Sequence, residues 1–479
     1  MTSTERTTTS RIAIDLWRIV GFLVCVEAAS GILQGYYTPI YSDLADHLGT
    51  HDADINWLEA AQLIVSALAV PPLARLGDAI GHRRVLLLAT AITALASWWL
   101  VAAPSFPAFL AGWALQGAYV VWLPLEIAII HRRTAGDTAL TRRAAGVLVG
   151  ALELAVILGA GLSGVLVGSM PMALVLAFPA LAVSATYLVI RRGVPDERPN
   201  RIVAGFDYPG LAALSLALGL VMGGLVCVRV LGVGSVLAWL LVALGVLALV
   251  PFWRIEASRD EPLVDVRLLA EPGQWPVQAA AFFFGMSVLG AQIPLSTFAR
   301  TDPSAGYGLG AGAGFVSLLI AVYVVAMAAG AFGLPILARR LGATGAQVFG
   351  CALVAIGYAL WLPLHAHTGQ AVLNMVIIGV GSGTLVASIP AAAAAAAPTE
   401  RTAFATGMTN AVKTIGGAIA SAVFAIALSA TGSIADPTRG HAPLSGYLTV
   451  WAVCAASAAL AGLLLLAGRR RTTIPARSR

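Results

Sequence analysis

Four ionisable side chains lie deep inside apolar stretches of this sequence: Glu27, Glu126, Glu153 and Lys413, the only lysine of the chain. Counting inward at about 1.5 Å per residue puts Glu27, Glu153 and Lys413 near the middle of a bilayer, roughly 15 Å from the ends of their segments, and Glu126 nearer one surface. An ionised group at that depth costs about 2.5–3.5 kcal/mol or more, so it faces protein or a wet cavity and is a functional candidate. A carboxyl kept from water can hold a proton at rest and release it when water or a cationic substrate arrives, which makes Glu27, Glu153 and Glu126 candidates for proton coupling. Glu27 shares a helical stripe with Ser30, Gly31, Gln34 and Thr38, the pattern of a cavity wall. The alternative is a glutamate hydrogen-bonded to a neighbouring helix. Glu153 lies on the face of Gly146, Gly150, Ala160 and Gly164, where small side chains permit close helix contact, and reads equally as a packing or a gating residue. Lys413 could pair with a carboxylate, attract an anionic substrate or serve structure alone.

Trp113, Tyr119, Trp122, Tyr36, Tyr37 and Phe178 could line a pocket for flat or cationic compounds through stacking and cation–π contact, beside Gln34, Thr38 and Gln116; the plainer reading is packing or lipid contact. All seven histidines fall in or beside loops, which predicts neither an intramembrane histidine relay nor a metal cluster. Asp43, Asp46, Asp52 and Asp54 make one loop acidic, able to attract cations or simply solvated. Cys25, Cys227, Cys351 and Cys454 sit in apolar stretches without a C-x-x-C pair and read as packed thiols.

The elements that position these groups follow from composition. The chain has 479 residues, 59% of them apolar and 11% charged, with a mean hydropathy of +0.86, which excludes an ordinary soluble domain. Fourteen crossings of roughly 20 residues consume about 280 and leave no room for a large soluble catalytic domain. The net charge of +6 resides on arginines in short loops, not on one basic face, and so argues topology and no nucleic-acid partner. Hydropathy predicts spans at 17–41, 55–76, 84–103, 107–130, 143–168, 170–190, 208–231, 234–253, 276–299, 311–338, 344–364, 370–397, 403–430 and 446–468. Most arginines fall on one face and only Arg229, Arg300 and Arg439 on the other, so both termini are expected in the cytoplasm. Tryptophans near span ends, among them Trp17, Trp57, Trp98, Trp99, Trp253, Trp275, Trp361 and Trp451, suit an interfacial belt.

An internal repeat relates the stretch from Pro71 to Gly81 with that from Pro335 to Gly345, matching six of eleven positions without a gap. The two stretches close spans two and ten, a separation of one six-helix repeat plus two inserted helices. Parallel six-helix halves with a substrate cavity near the midplane are a transporter architecture.

The motifs then add a resemblance. The loop from Ala74 to Arg84 is similar to the signature G-x-x-x-D-x-x-G-[RK]-x-[RK] of the major facilitator superfamily, with Ala74 and His82 as departures. Pro39-Ile40, Gln116-Gly117, Pro124, Phe206 to Gly210, Pro262 to Leu268 and Gly407 to Gly417 extend the likeness, the last three toward the fourteen-helix drug:proton antiporter branch. The resemblance implies a gating latch of Asp78, Gly81, Arg83 and Arg84, and an antiporter motif in the fifth span. Here that motif is Gly159-Ala160-Gly161-Leu162-Ser163-Gly164, which keeps the small residues Gly159, Gly161 and Gly164 for helix packing but has Ala160 for the proline. Trp113 stands where the family has a basic residue, and Ser30 at the first-span acidic position. Glu27, one turn earlier, is expected to do the work of that acid.

The expectation is an all-α polytopic membrane protein with a major facilitator fold: two six-helix bundles, 17–190 and 276–468, with linkers at 191–207 and 254–275, two inserted helices in 208–253, and tails 1–16 and 469–479. It would export small amphipathic or cationic drugs or antibiotics across the inner cell membrane by proton antiport and alternating access, as a monomer, without a cofactor. The rival readings are a facilitator or importer of another metabolite, and a non-transporting sensor or intramembrane enzyme.

Overall fold

A computed structural model describes residues 16–17, 19–134, 137–195, 207–259, 262–398, 401–429 and 442–472. Arg6, Arg11, Asp15, Arg198, Arg201, Phe206, Arg439, His441 and the end of the basic tail lie outside the described residues. With no water in hydrocarbon to satisfy backbone groups, apolar segments must pair their own amides and carbonyls, and the described elements are all helical. In chain order they are α1 (Leu23–Tyr36), α2 (Tyr41–Leu48), α3 (Asn56–Ile80), α4 (His82–Ala102), α5 (Phe106–Gln116), α6 (Trp122–Arg133), α7 (Thr138–Leu166), α8 (Met172–Gly193), α9 (Tyr208–Leu231), α10 (Val236–Ala257), α11 (Val266–Ala270), α12 (Trp275–Val288), α13 (Gln292–Arg300), α14 (Ala313–Leu360), α15 (Thr368–Ala395), α16 (Thr402–Leu428) and α17 (Leu444–Thr472), with short 3-10 turns between some of them.

Among the described residues twelve helical stretches are long and apolar enough to cross a membrane. One of them, α14, is 48 residues long and holds two helices, because Gly342 breaks it with φ 77° and ψ 167°. A further apolar helix, α1, is 14 residues long, cut short by a turn at Gly21 and Phe22 behind it and by a 3-10 turn at Thr38–Ile40 ahead. With these counted, each of the fourteen expected spans has its helix, within a few residues of the boundaries read from hydropathy. Side chains supply the ends: Asp137, Asp207 and Asp265 accept amides in the first turns of α7, α9 and α11.

The helices form two compact units, one of Met1–Tyr37 with Leu68–Ala204 and one of Thr38–Ala67 with Gly205–Arg479. In the first, α1 lies against α7 at backbone distance: a Cβ on Gly31 or Gly35 would collide with the carbonyl oxygens of Leu152 and Val156, and one on Gly159 would stand 3.2 Å from Ile32 Cα. In the second, α12 meets α16 in the same way, through Gly285 on the Lys413 carbonyl and Gly416 on the Phe282 carbonyl. One packing device thus recurs in the fifth span and in its repeat counterpart, the thirteenth. The repeat at the ends of spans two and ten is less regular. The first copy breaks at Gly81 (φ 107°, ψ 133°) and the second at Gly342, which aligns with Asp78.

Two expectations need correction. The tryptophans divide: Trp17, Trp98, Trp99 and Trp253 are exposed, whereas Trp57, Trp361 and Trp451 are buried. Trp361 and Trp451 stack at 4.8 Å beneath Phe298 and Tyr447 in the second unit's core, because a ring near a span end can turn inward when facing helices leave a space its size. Of the cysteines, Cys351 and Cys454 are buried and Cys227 is half-buried, but Cys25 is exposed, on the face of α1 turned from Gly31 and Gly35.

Candidate functional site: a buried carboxyl pair

Glu27 on α1 and Glu126 on α6 are both 0% exposed, and their carboxyls lie within hydrogen-bonding reach of one another. The Ser30 hydroxyl stands beside Glu27, yet among the described residues no donor completes a hydrogen bond to any of the four carboxyl oxygens. Arg133 is a cation close enough to act on Glu126, and its Nη1 donates to the Ile19 carbonyl at 2.6 Å. Two ionised carboxyls placed so would face each other as acceptors without donors and repel. One proton between them turns one group into a donor for the other and removes that conflict. The arrangement can therefore hold and release a proton. Glu153, on α7, is half-buried and lies outside this pair.

The other expected site residues are placed as follows. Of the Glu27 stripe, Ser30, Gly31 and Thr38 are buried, and Gln34 is exposed with its Nε2 donating to Ser30 Oγ at 3.1 Å. Thr38 gives its carbonyl to the Ser296 hydroxyl. The stripe is a wall at Gln34 only; at Gly31 it is a helix contact. The aromatic residues pack on one another: Trp113 sits edge-on to Tyr37 at 4.6 Å, Tyr119 edge-on to Trp122 at 5.9 Å, and Gln116 donates to Tyr37 Oη at 3.3 Å and Ser97 Oγ at 2.9 Å. Phe178 is exposed and stacks on Tyr36. The face proposed for Glu153 is mixed, since Gly146 and Gly150 have nothing within 4 Å of a Cβ, while Ala160 is buried and Gly164 half-buried; Gly161 of the fifth-span motif also meets open space. The close contacts are made by Gly159 and by glycines of α1. Lys413 is half-buried on α16.

The signature loop keeps its backbone and changes its pairing. Gly81 holds a conformation that a side chain would strain, and Gly77 leaves room for Leu125, whose Cδ2 would stand 2.8 Å from a Cβ. Asp78, expected to pair with Arg83 and Arg84, instead meets His82 at 3.2 Å. Arg83 turns to the Arg191 carbonyl at 2.8 Å, and Arg84 is exposed. The departure at position 82 is thus the residue that engages the motif aspartate, reaching it across the break at Gly81 from the first position of α4.

Sequence reasoning missed two features. Glu59, in the first turn of α3, is a further acid in a spanning segment. Asp54 and Arg229 form a bidentate pair, Nε to Oδ1 at 2.9 Å and Nη2 to Oδ2 at 3.1 Å, with side chains 0% and 2% exposed. The signal was Arg229 itself, an arginine at the arginine-poor end of a spanning helix.

The Major Facilitator Superfamily pattern matches residues 23–421. A cephamycin export protein, CmcT, from Amycolatopsis lactamdurans is 27% identical over 446 residues, covering 90% of this chain and 87% of that protein. A tetracenomycin C resistance and export protein from Streptomyces glaucescens is 23% identical over 383 residues, 79% of this chain and 69% of that one. Among solved structures, the POT family transporter PepTSo superposes with a TM-score of 0.68 at 14% identity, over 96% of this chain and 99% of its own. The human organic anion transporter MFSD10 gives 0.59 at 15%, over 94% and 99%. The structural likenesses carry the fold, the pattern carries the family, and the chain belongs to the major facilitator superfamily of transporters.

Proposed function

We propose that this transporter exports a small amphipathic or cationic organic compound, an antibiotic or a range of drugs, and that inward proton flow drives it through the Glu27–Glu126 pair. The observation that carries the reading is two fully buried carboxyls facing each other with, among the described residues, no donor completing a hydrogen bond to either. Both relatives named above are export proteins for antibiotics by description, which supports the direction and the substrate class. Two six-helix bundles, 17–190 and 276–468, would rock about the inserted helices in 208–253, with both termini and the arginine-rich loops in the cytoplasm of a monomer in the inner cell membrane. Asp78 and His82 would close the cytoplasmic latch, with Gly81 as its turn; Arg83 and Arg84 would serve the loop's anchoring and topology. Glu153, Gln34 and Lys413 are the remaining candidates for contact with protons or substrate.

The test uses proteoliposomes with an imposed pH gradient and a fluorescent organic cation as probe, comparing the parent with Glu27→Gln and Glu126→Gln. Loss of gradient-driven accumulation with dye exchange retained in both variants is the expected result. Undiminished gradient-driven transport in either variant rejects the pair as the coupling site. A parent indifferent to the gradient favours the second reading, a facilitator, which Trp113 and Ala160 at family motif positions support.

A further inference from the structure

A second pair of acids, far along the chain from Glu27 and Glu126, sits where the inserted helices meet the polypeptide leading into α12. Asp207 caps α9: its Oδ1 accepts the Gly210 amide at 2.9 Å and has Arg259 Nε 3.7 Å away. Glu256, in the last turn of α10, accepts the Val264 amide on Oε2 at 2.9 Å. That leaves one oxygen on each, Asp207 Oδ2 and Glu256 Oε1, both buried and without a hydrogen-bond partner among the described residues, on residues 5% and 1% exposed. The two oxygens close on one spot beside Gly210, where a Cβ would collide with both. Glycine is therefore the residue that leaves room for two acceptors to converge.

A buried acceptor without a donor is costly, and more so when charged, so two aimed at each other require a donor between them. Of the charged groups at this junction, Arg259 faces Asp207 from the end of α10 and offsets one negative charge. Arg267 is turned to the Ala257 carbonyl, and Asp265 is paired with Arg401. A hard cation takes about six to eight oxygens, and among the described residues no group of three or more metal-ligating side chains exists. One proton fits: an O–H on one carboxyl donates to the free oxygen of the other, and the remaining negative charge answers Arg259.

We propose that Asp207 and Glu256 bind a single proton between them, and that this proton pins the start of α9 and the end of α10 to the segment Val264–Leu268. Losing it leaves two facing carboxylates, which push the start of α9 and the end of α10 apart and so displace Glu256, through which the segment is held at the Val264 amide. Arg259, Arg267 and Arg401 stand about the site, and with the arginine-rich loops taken as cytoplasmic a rise in pH on that side loosens the joint. It does not depend on the proton path assigned to Glu27 and Glu126.

The experiment uses the full chain in lipid nanodiscs, with infrared titration of protonated carboxyl bands and hydrogen exchange over 262–270, corrected for the intrinsic pH dependence of exchange. The parent is expected to show a carboxyl band that disappears as pH rises and that is missing in Glu256→Gln and Asp207→Asn. Protection of the segment should fall by about tenfold per pH unit above the band's midpoint, the slope of one linked proton. In Glu256→Gln the amide supplies a permanent donor to Asp207, and protection should stay flat. In Glu27→Gln the band should remain, which separates this site from the transport pair. Protection restored at high pH by sodium would overturn the proposal in favour of a cation site. A band unmoved by both substitutions, or protection in the parent without the one-proton slope, would overturn it outright.

Discussion

Replacing Arg229 by methionine should destabilise the protein by about 3–5 kcal/mol, nearly all of it recoverable by also replacing Asp54. Both oxygens of the Asp54 carboxylate are taken by the guanidinium fork at 2.9 and 3.1 Å, and neither side chain reaches water. Removing one partner of such a pair leaves an uncompensated buried charge, which is the source of the 3–5 kcal/mol. Removing both replaces a desolvated ion pair by apolar contact, which is neutral or favourable by about 1–4 kcal/mol. Arg229→Met with Asp54→Leu should therefore lie close to the parent, and the double-mutant cycle should give a coupling of about 3 kcal/mol or more. The assay is equilibrium unfolding in mixed micelles, with Arg300→Met as a comparison, because its 2.6 Å bond to Asp43 joins side chains 20% and 26% exposed and should cost much less. If Arg229→Met costs under about 1 kcal/mol, or the two single losses simply add, the argument from burial is wrong and the pair is solvated in the membrane.

Two further outcomes follow from packing and from charge. Gly31→Val should cost about 1–3 kcal/mol by forcing α1 off the Leu152 carbonyl, whereas Gly150→Ala, which meets open space, should change thermal stability little; equal losses would contradict the assigned helix contact. Asp43, in the loop helix α2, has its carboxyl pushed up by burial against the opposing pull of Arg300. A folded-state carboxyl shifted upward contributes stability below its unfolded pKa and loses it as pH rises through the folded one. Unfolding midpoints between about pH 4 and 6 should therefore decline with pH less steeply in Asp43→Asn than in the parent, and an unchanged slope would refute the assignment.

Hydropathy located nearly every span because only an internally hydrogen-bonded helix can occupy hydrocarbon, so apolar length and helix length are tied. It could not show the interruptions at Gly117–Val121 or at Leu289–Ala291, since those turns are as apolar as the helices they break. The same limit hid the site. Counting residues gives the depth of Glu27 and Glu126 but not the direction in which each helix turns them, and it is direction that makes them a pair. Asp54 and Arg229 are 175 residues apart, and each read singly as a loop charge. Small residues were legible as packing, yet their partners were not: the face chosen through Gly146 and Gly150 is open, and the tight one runs through Gly31, Gly35 and Gly159.

The departures from the family's motifs become coherent around that pair. A basic residue on the fourth span could hold a membrane carboxylate by fixed charge, but Trp113 packs on Tyr37 and offers none. Ser30 at the first-span acidic position leaves Glu27 as the acid one turn earlier, and Glu126 arrives from α6 to meet it. Arg133 turns its Nη1 to the Ile19 carbonyl. Among the described residues no cation is hydrogen-bonded to the two carboxyls, and the cheapest further counter-charge inside the membrane is a proton, which can also leave. Without that basic residue and with two buried acids in contact, the counter-charge such a site would take is titratable rather than fixed, which is what the proposed antiport requires.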